Sequence, residues 1–439
     1  MAMLFNRRPS QDLAPAGGAA EAPSSASLPT ADRGEASPTS ARRRTVVVFR
    51  KDLLPLSETF IREQVNAYRR WRAVLVGYRR CPGLELSGID LVVLQRQQRA
   101  LQDRVALKLM QHAQYWGVYS RRFCNLVARF APRLVHAHYG YDAVLIYDIA
   151  KALHIPLVVT LHGMDITFHR DIWKTGVEGY FFRRYPDKLE RMFADPNVHF
   201  IAVSTALRDR ALERGAPAGR THVFYTGVDC HTFSPSGPAI IERRNVLFVG
   251  RLVPFKGCAF LIAAMQTVQR SWPEAMLVIV GDGPLRGELQ AQAGRLNVKV
   301  RFTGAVDSSG VRQELAQARM LCLPSITDHN QSFETFGMVL AEAQASGVPV
   351  LTSARGGVEG IISGVTGYAF AERDQAELAA QIARLQMDDL LCEAMSRAAV
   401  AHARQRLDIA ACTAQIEGFY DGLVGDDRKD SEPDPVSRR

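Results

Sequence analysis

The chain alternates short, strongly apolar runs with longer segments in which apolar residues return every three or four positions. Five runs fall in the first half: TVVVFR (45–50), AVLVGY (73–78), RLVHAH (133–138), PLVVTLHG (156–163) and HFIAVS (199–204). Five more follow: NVLFVGR (245–251), AMLVIVGDGP (275–284), KVRFTG (299–304), RMLCLPS (319–325) and PVLTS (349–353). Runs this short, rich in β-branched residues and without polar alternation, are strands covered on both faces, and the periodic segments between them are the covering helices. The pattern predicts an α/β protein with two Rossmann-type domains in tandem, spanning 45–235 and 240–407, with the boundary in the Pro- and Ser-containing stretch at 234–239. Residues 1–44 lack periodicity and are dominated by Ala, Ser, Pro, Gly and Arg, which predicts a disordered arm; 426–439 is a matching polar tail.

In parallel sheets of this kind ligands meet the carboxyl ends of the strands, and two such domains turn that edge into a shared cleft. Polar residues just after strands are therefore the candidates for chemistry. After the strand ending at Val249, GRLVPFKG places Arg251 and Lys256 on a loop, where two cations either hold a diphosphate or are simply solvated. GDGP then ends the next strand; Gly281 and Asp282 suit close approach to a ligand or an ordinary turn into a helix.

In SFETFGMVLAEAQASGVPV, Glu334 precedes a helix and Glu342 lies about two turns inside it. The helix start at Phe336, Gly337 and Met338 offers backbone N–H groups and a positive dipole end. A phosphate there would set Glu334 beside the group it carries and Glu342 toward a nucleoside.

These three motifs, with GGVEGIISGVTGYAF, resemble in order and spacing the family 4 retaining glycosyltransferases of GT-B fold, over residues 45 to 425 and most specifically from Ser332 to Val350. The resemblance implies two Rossmann-like domains facing across a cleft, with the last helix, about 408–425, crossing back to the first domain. It assigns Arg251 and Lys256 to the donor diphosphate, Glu334 to the donor sugar and Glu342 to the ribose. Two departures stand out: Thr335 follows the first Glu where the family usually has Gly, and the usual Gly-Gly-(Ile/Val)-Pro-Glu segment reads Gly356, Gly357, Val358, Glu359, Gly360.

In the first half, TLHGMDI puts His162 and Asp165 after a strand, and HAHYG does the same for His138. Such histidines are structural as readily as functional. The resemblance implies a catalytic place for His162 near the transferred sugar and acceptor-side places for His138 and Asp165. Where most members have a Gly-rich loop after the first strand, this chain reads KDLLPLSETFIREQV, which resembles the branch assembling bacterial exopolysaccharides such as colanic acid and amylovoran. Ser57, Thr59 and Phe60 of that segment are expected to meet the acceptor, a plain helix cap being the alternative.

Composition adds bounds. At 439 residues, 47% hydrophobic and 23% charged, the chain is neither a small binding module nor disordered throughout. Seven scattered cysteines without a CxxC pair read as core-filling free thiols in a reducing compartment. No run approaches a membrane span and no secretory signal is evident, so a cytoplasmic protein is expected.

The formal charge is +9, and a local excess of eight falls between Arg69 and Arg122. There basic residues interleave with Trp71, Tyr78, Tyr115, Trp116 and Tyr119, and the stretch from Leu94 to Phe123 suits either an amphipathic helix on anionic lipid at the inner face of the plasma membrane or a solvated helix face. Nucleic acid is not expected, since no zinc-finger, RNP or helix-turn-helix signature is present.

The expected activity is transfer of a hexose from a nucleotide sugar to an oligosaccharide or lipid-linked saccharide acceptor, with no cofactor. It is expected to be independent of metal, because no Asp-x-Asp sequence is available to clamp an ion. A nicotinamide-linked Rossmann enzyme would need a G-x-G-x-x-G turn that VVVFRKDLLPLS lacks. A catalytically silent scaffold subunit is the other rival, and the retained Arg251, Lys256, Glu334 and Glu342 argue against it.

Overall fold

The computed structural model describes residues 43–55, 58–94, 101–176, 179–353 and 355–425. Ser57, the tail and nearly all of the N-terminal arm lie outside them; Arg44, placed in the arm by its composition, instead opens the first strand.

The first sheet uses β1 (Arg44–Phe49), β3 (Trp71–Gly77), β5 (Asp90–Val93), β6 (Pro132–His138), β7 (Leu157–Leu161), β8 (Val198–Ala202) and β9 (Thr221–Val223), with the two-residue pair β2 (Asp52–Leu53) and β4 (Arg79–Arg80) beside it. Its order is β5-β3-β1-β6-β7-β8-β9, parallel throughout. The second sheet joins β10 (Asn245–Val249), β11 (Leu277–Val280), β12 (Val300–Gly304), β13 (Ala318–Leu323), β14 (Val350–Thr352) and β15 (Gly367–Ala369) in the order β12-β11-β10-β13-β14-β15, also parallel.

Strand β1 shows why apolar runs become central strands. Val47 and Phe49 enter one hydrophobic layer while Val46 and Val48 enter the layer on the opposite face, and all four are fully buried. Within these two sheets, the strands that the apolar pattern does not reveal, β5, β9 and β15, are short edge strands and only partly buried.

Each chain half starts in mid-sheet, builds outward, then returns to the other side. The strand order therefore reverses between β1 and β6 in one domain and between β10 and β13 in the other. These two switch points open the crevices in which α/β sheets bind ligands.

The last helix, Ile409–Val424, returns to the first domain. Glu417 is buried there and accepts the amides of Arg69, Arg70 and Trp71 at 3.0, 2.8 and 2.9 Å. The crossing segment is paired to the interdomain linker, because Val228 N–H donates to Leu407 O at 2.7 Å and Ile409 N–H to Val228 O at 2.9 Å.

The basic window is not one surface. Trp71, Tyr78 and Tyr115 belong to the core, and only Trp116 and Tyr119 of its aromatics are exposed. The single helix expected from Leu94 to Phe123 is two, Leu101–Tyr115 and Arg121–Ala128, because the Ser120 side chain caps the second by accepting Phe123 N–H. Six of the seven free cysteines are buried. Among the described residues no helix is long and apolar enough to cross a membrane.

Candidate functional site

Two loops follow the second switch point. After β10, the chain passes the exposed Arg251 and makes a single turn at Pro254–Lys256. Gly257 then takes φ 69° and packs so closely on Pro324, just after β13, that a Cβ would sit 1.7 Å from the Pro324 carbonyl. This crossing of the two loops brings Lys256 Nζ onto Glu334 Oε2 in a hydrogen-bonded ion pair, although the residues are 78 positions apart. Glu334 is almost buried, and its carbonyl accepts Gly356 N–H at 3.0 Å.

Gly337, at φ 76°, opens the helix Met338–Ala345, whose N-terminus no side chain caps. Its backbone amides and dipole face the same space as Lys256. Phe336 is buried against Tyr225 of the first domain, ring centroids 5.4 Å apart. Glu342, deeper along the helix, is half-buried, and burial pushes its carboxyl up to about 7.

The first domain contributes His162, at the end of β7. Its ring packs on Tyr139 at 4.5 Å and Phe60 at 5.0 Å, and its Nε2 lies 3.0 Å from His138 Nδ1. Burial, with the charge of Arg50 adding to it, pushes His162 down to about 3, so the ring is neutral at physiological pH. It can therefore hydrogen-bond a sugar but not act as a standing cation.

His162, Phe60 and Tyr139 line a cavity of about 240 Å³ together with Lys256, Glu334 and Phe336–Met338. A second cavity, of about 400 Å³, shares Phe60 and Met338 with the first and holds Thr59, Arg312 and Glu342. The two form one trough between the domains, with the ion pair at one end and Glu342 at the other.

Other expected site residues lie elsewhere. Asp165, expected on the acceptor side, is 1% exposed; its carboxylate accepts the amides of Gly140, Gly163 and His162, and so shapes the loop instead of facing a ligand. His138 is equally buried and supports His162 from behind. Gly281 makes its close approach to the backbone of Gly250, where a Cβ would fall 2.0 Å from the carbonyl oxygen, while Asp282 is exposed and pairs with Arg286 at 3.2 Å. That motif packs the Arg251 loop and lines neither cavity.

One cluster escaped the sequence reading. Arg50, the first residue after β1, is buried, bonds Glu58 through two nitrogens at 2.9 and 2.7 Å, pairs with Asp142, and lies 4.4 Å over the Tyr139 ring. Burial alone would lower its pKa, but Asp142 and Glu58 more than offset this and raise it. Glu58 thus anchors its loop through Arg50 and does not cap the helix Thr59–Ala67. The available signal was a charged residue directly after a central strand.

Two doubly wound domains closing on a trough with a paired lysine and glutamate at a helix N-terminus define a GT-B architecture. Comparison with solved structures agrees: Anabaena HepE, in complex with UDP and glucose, superposes with a TM-score of 0.66 at 23% identity over 87% of this chain and all of that one. The sucrose-phosphate synthase of Thermosynechococcus elongatus superposes with a TM-score of 0.66 at 20% identity, over 87% of this chain and 99% of that one. Residues 57–232 match the model of glycosyltransferase family 4, and 243–388 that of group 1 glycosyl transferases. Glycogen synthase of Mycobacterium tuberculosis is 31% identical over 302 residues, 65% of this chain and 68% of that protein. The phosphatidyl-myo-inositol mannosyltransferase of Mycobacterium leprae is 34% identical over 183 residues, 41% of this chain and 47% of that protein. The chain belongs to the family 4 glycosyltransferases.

Proposed function

We propose that the protein is a retaining hexosyltransferase that moves a sugar from a nucleoside diphosphate donor to a lipid-linked saccharide in exopolysaccharide or surface-polysaccharide assembly. The trough carries this reading, because Lys256, Glu334, a helix N-terminus and a neutral His162 converge on one cavity while Glu342 lines the next. Lys256, Arg251 and the helix dipole stabilise the departing diphosphate. Glu334 steadies the charge developing on the sugar, His162 hydrogen-bonds a sugar hydroxyl, and Glu342 accepts from the ribose. The UDP bound by HepE favours a UDP-sugar. Phosphate charge is met by protein cations, so transfer is expected to proceed without a metal.

A lipid-linked acceptor fits the outer face of the first domain, where Trp116, Val118, Tyr119 and Tyr180 stand exposed. Arg184 lies 3.7 Å over the Trp116 ring and Arg183 5.2 Å over Tyr180, making an apolar patch rimmed by cations, as an anionic bilayer requires. The protein would then work in the cytoplasm at the inner face of the membrane.

The test screens nucleotide sugars for transfer and donor hydrolysis with purified protein, with and without a chelator. Glu334→Ala is expected to lower turnover by orders of magnitude with the fold retained, and the chelator to change little. A wild type that binds no nucleotide sugar, or a variant at wild-type rate, would overturn the assignment.

A further inference from the structure

Two of the residues at which the sequence departs from the family pattern, Thr335 and Glu359, both reach across the cleft. Thr335 Oγ1 donates to the backbone carbonyl of His162 at 2.8 Å. The neighbouring Gly163 makes room, since a Cβ there would lie 3.1 Å from the Thr335 methyl group. A glycine at 335 would have no hydroxyl to offer.

Glu359 receives both first amides of the first-domain helix Thr205–Glu213: Thr205 N–H at 2.7 Å and Ala206 N–H at 2.8 Å, one to each carboxylate oxygen. The Ser204 side chain takes Leu207 N–H at 3.2 Å and its carbonyl takes Arg208 N–H at 2.9 Å. Three of the amides that a helix start leaves open, those of Thr205, Ala206 and Leu207, are thus satisfied, two of them by a carboxylate of the opposite domain set at the positive end of the helix dipole. One residue earlier in the segment than the family places its glutamate, this carboxylate meets the helix; Gly360 has no side chain to do so.

The two contacts belong to one unit. Gly356, between them in sequence, bonds the Glu334 carbonyl at 3.0 Å and packs so tightly on Thr335 that a Cβ would fall 2.1 Å from its oxygen. Arg210 of the same helix adds a bond to Gln331 Oε1 at 3.2 Å. The loop carrying Glu334 and the loop carrying Glu359 therefore grip the first domain together, one at the turn after β7 and the other at the helix after β8.

We propose that Thr335 and Glu359 form a latch that couples domain closure to the alignment of His162 with Glu334. Both are positioning residues: each acts through backbone of the other domain, Thr335 from the wall of the cavity itself and Glu359 from outside it. When the latch is made, His162 and Glu334 line one cavity; when it opens, the carboxylate and the helix amides return to water and the cavity parts along its length.

The kinetic half of this proposal rests on the glycosyltransferase reading, whereas the closure half does not. Small-angle scattering of the full chain, alone and with UDP, is compared for wild type, Thr335→Val, Glu359→Ala and Thr335→Ser, alongside initial rates with the nucleotide sugar that the donor screen identifies. The first two variants are expected to enlarge the radius of gyration and to lower kcat about fivefold each while KM for the donor changes less than twofold; Thr335→Ser, which keeps the hydroxyl, is expected to restore both. An unchanged radius overturns the latch. An enlarged radius with unchanged kcat overturns its coupling to catalysis. If the wild type turns over no nucleotide sugar, the glycosyltransferase reading fails, and the scattering still decides the latch.

Discussion

Glu342 is the residue whose behaviour depends most on its surroundings. Burial holds its carboxyl near 7, so close to neutrality the free protein carries it partly protonated. Ribose hydroxyls donate to a carboxylate, and UDP affinity is therefore expected to rise from pH 6 to pH 8, measurable by titration calorimetry. His162, pushed down to about 3, stays neutral throughout that window and contributes nothing to the change. For stability the sign runs the other way. A carboxyl raised above its unfolded value of 4.5 contributes fully below that value, and its contribution is lost as the pH climbs through about 7. Glu342→Gln is accordingly expected to melt higher than wild type at pH 8 but not at pH 4, while its weakened UDP binding loses its pH dependence. A wild type whose UDP affinity is flat with pH would remove the ribose role.

At the scale of elements, the segment after β1 illustrates what sequence can and cannot reveal. Central strands are legible because both of their faces are buried, which leaves no room for polar alternation; Val46 to Phe49 is such a run. The loop that follows is held by Arg50, Glu58 and Asp142, and the last of these is 92 positions from Arg50, beyond the reach of any local pattern. Removing the guanidinium leaves two buried carboxylates without a counter-charge, so Arg50→Leu is expected to cost about 3–5 kcal/mol in urea unfolding. Asp142→Asn with Glu58→Gln in the same background should recover much of it, because the repelling charges are gone. The same distance hid the Thr335 and Glu359 contacts, whose partners lie 173 and 154 positions away. The residues lining the trough were found through a resemblance in motif order. That resemblance places Asp165 on the acceptor side, and Gly281 is read from its place at a strand end with an ordinary turn as the alternative; in the structure both shape backbone.

At the scale of the whole molecule, the net charge divides by location. Arg72 and Arg79 of the basic window pair with Asp90 and Asp52, which leaves less free charge there than the count of residues suggests. The exposed cations that remain beside Trp116 include Arg121, Arg122, Arg183 and Arg184, two of them contributed by a segment outside that window. Arg96 and Arg99 lie outside the described residues. If this face meets lipid, the protein is expected to sediment with phosphatidylglycerol vesicles in low salt and to release as salt rises. A triple Arg121→Ser, Arg122→Ser, Arg184→Ser variant should bind at least about tenfold more weakly, and Trp116→Ser should weaken the part that salt does not remove. Equal sedimentation of all three proteins would return this face to ordinary solvated surface.

The chain passes between the domains twice, once near Val228 and once near Asp408, and the two passages are hydrogen-bonded side by side. A single covalent tether lets one body twist, slide and swing against another. Two passages held together by a bridge of two backbone hydrogen bonds resist twisting and sliding more than one does, and leave rotation about the line they share as the easiest motion. If the domains part as the proposed latch requires, the trough would open and shut along that one path, returning the same atoms of the two domains to the same places without having to search for them.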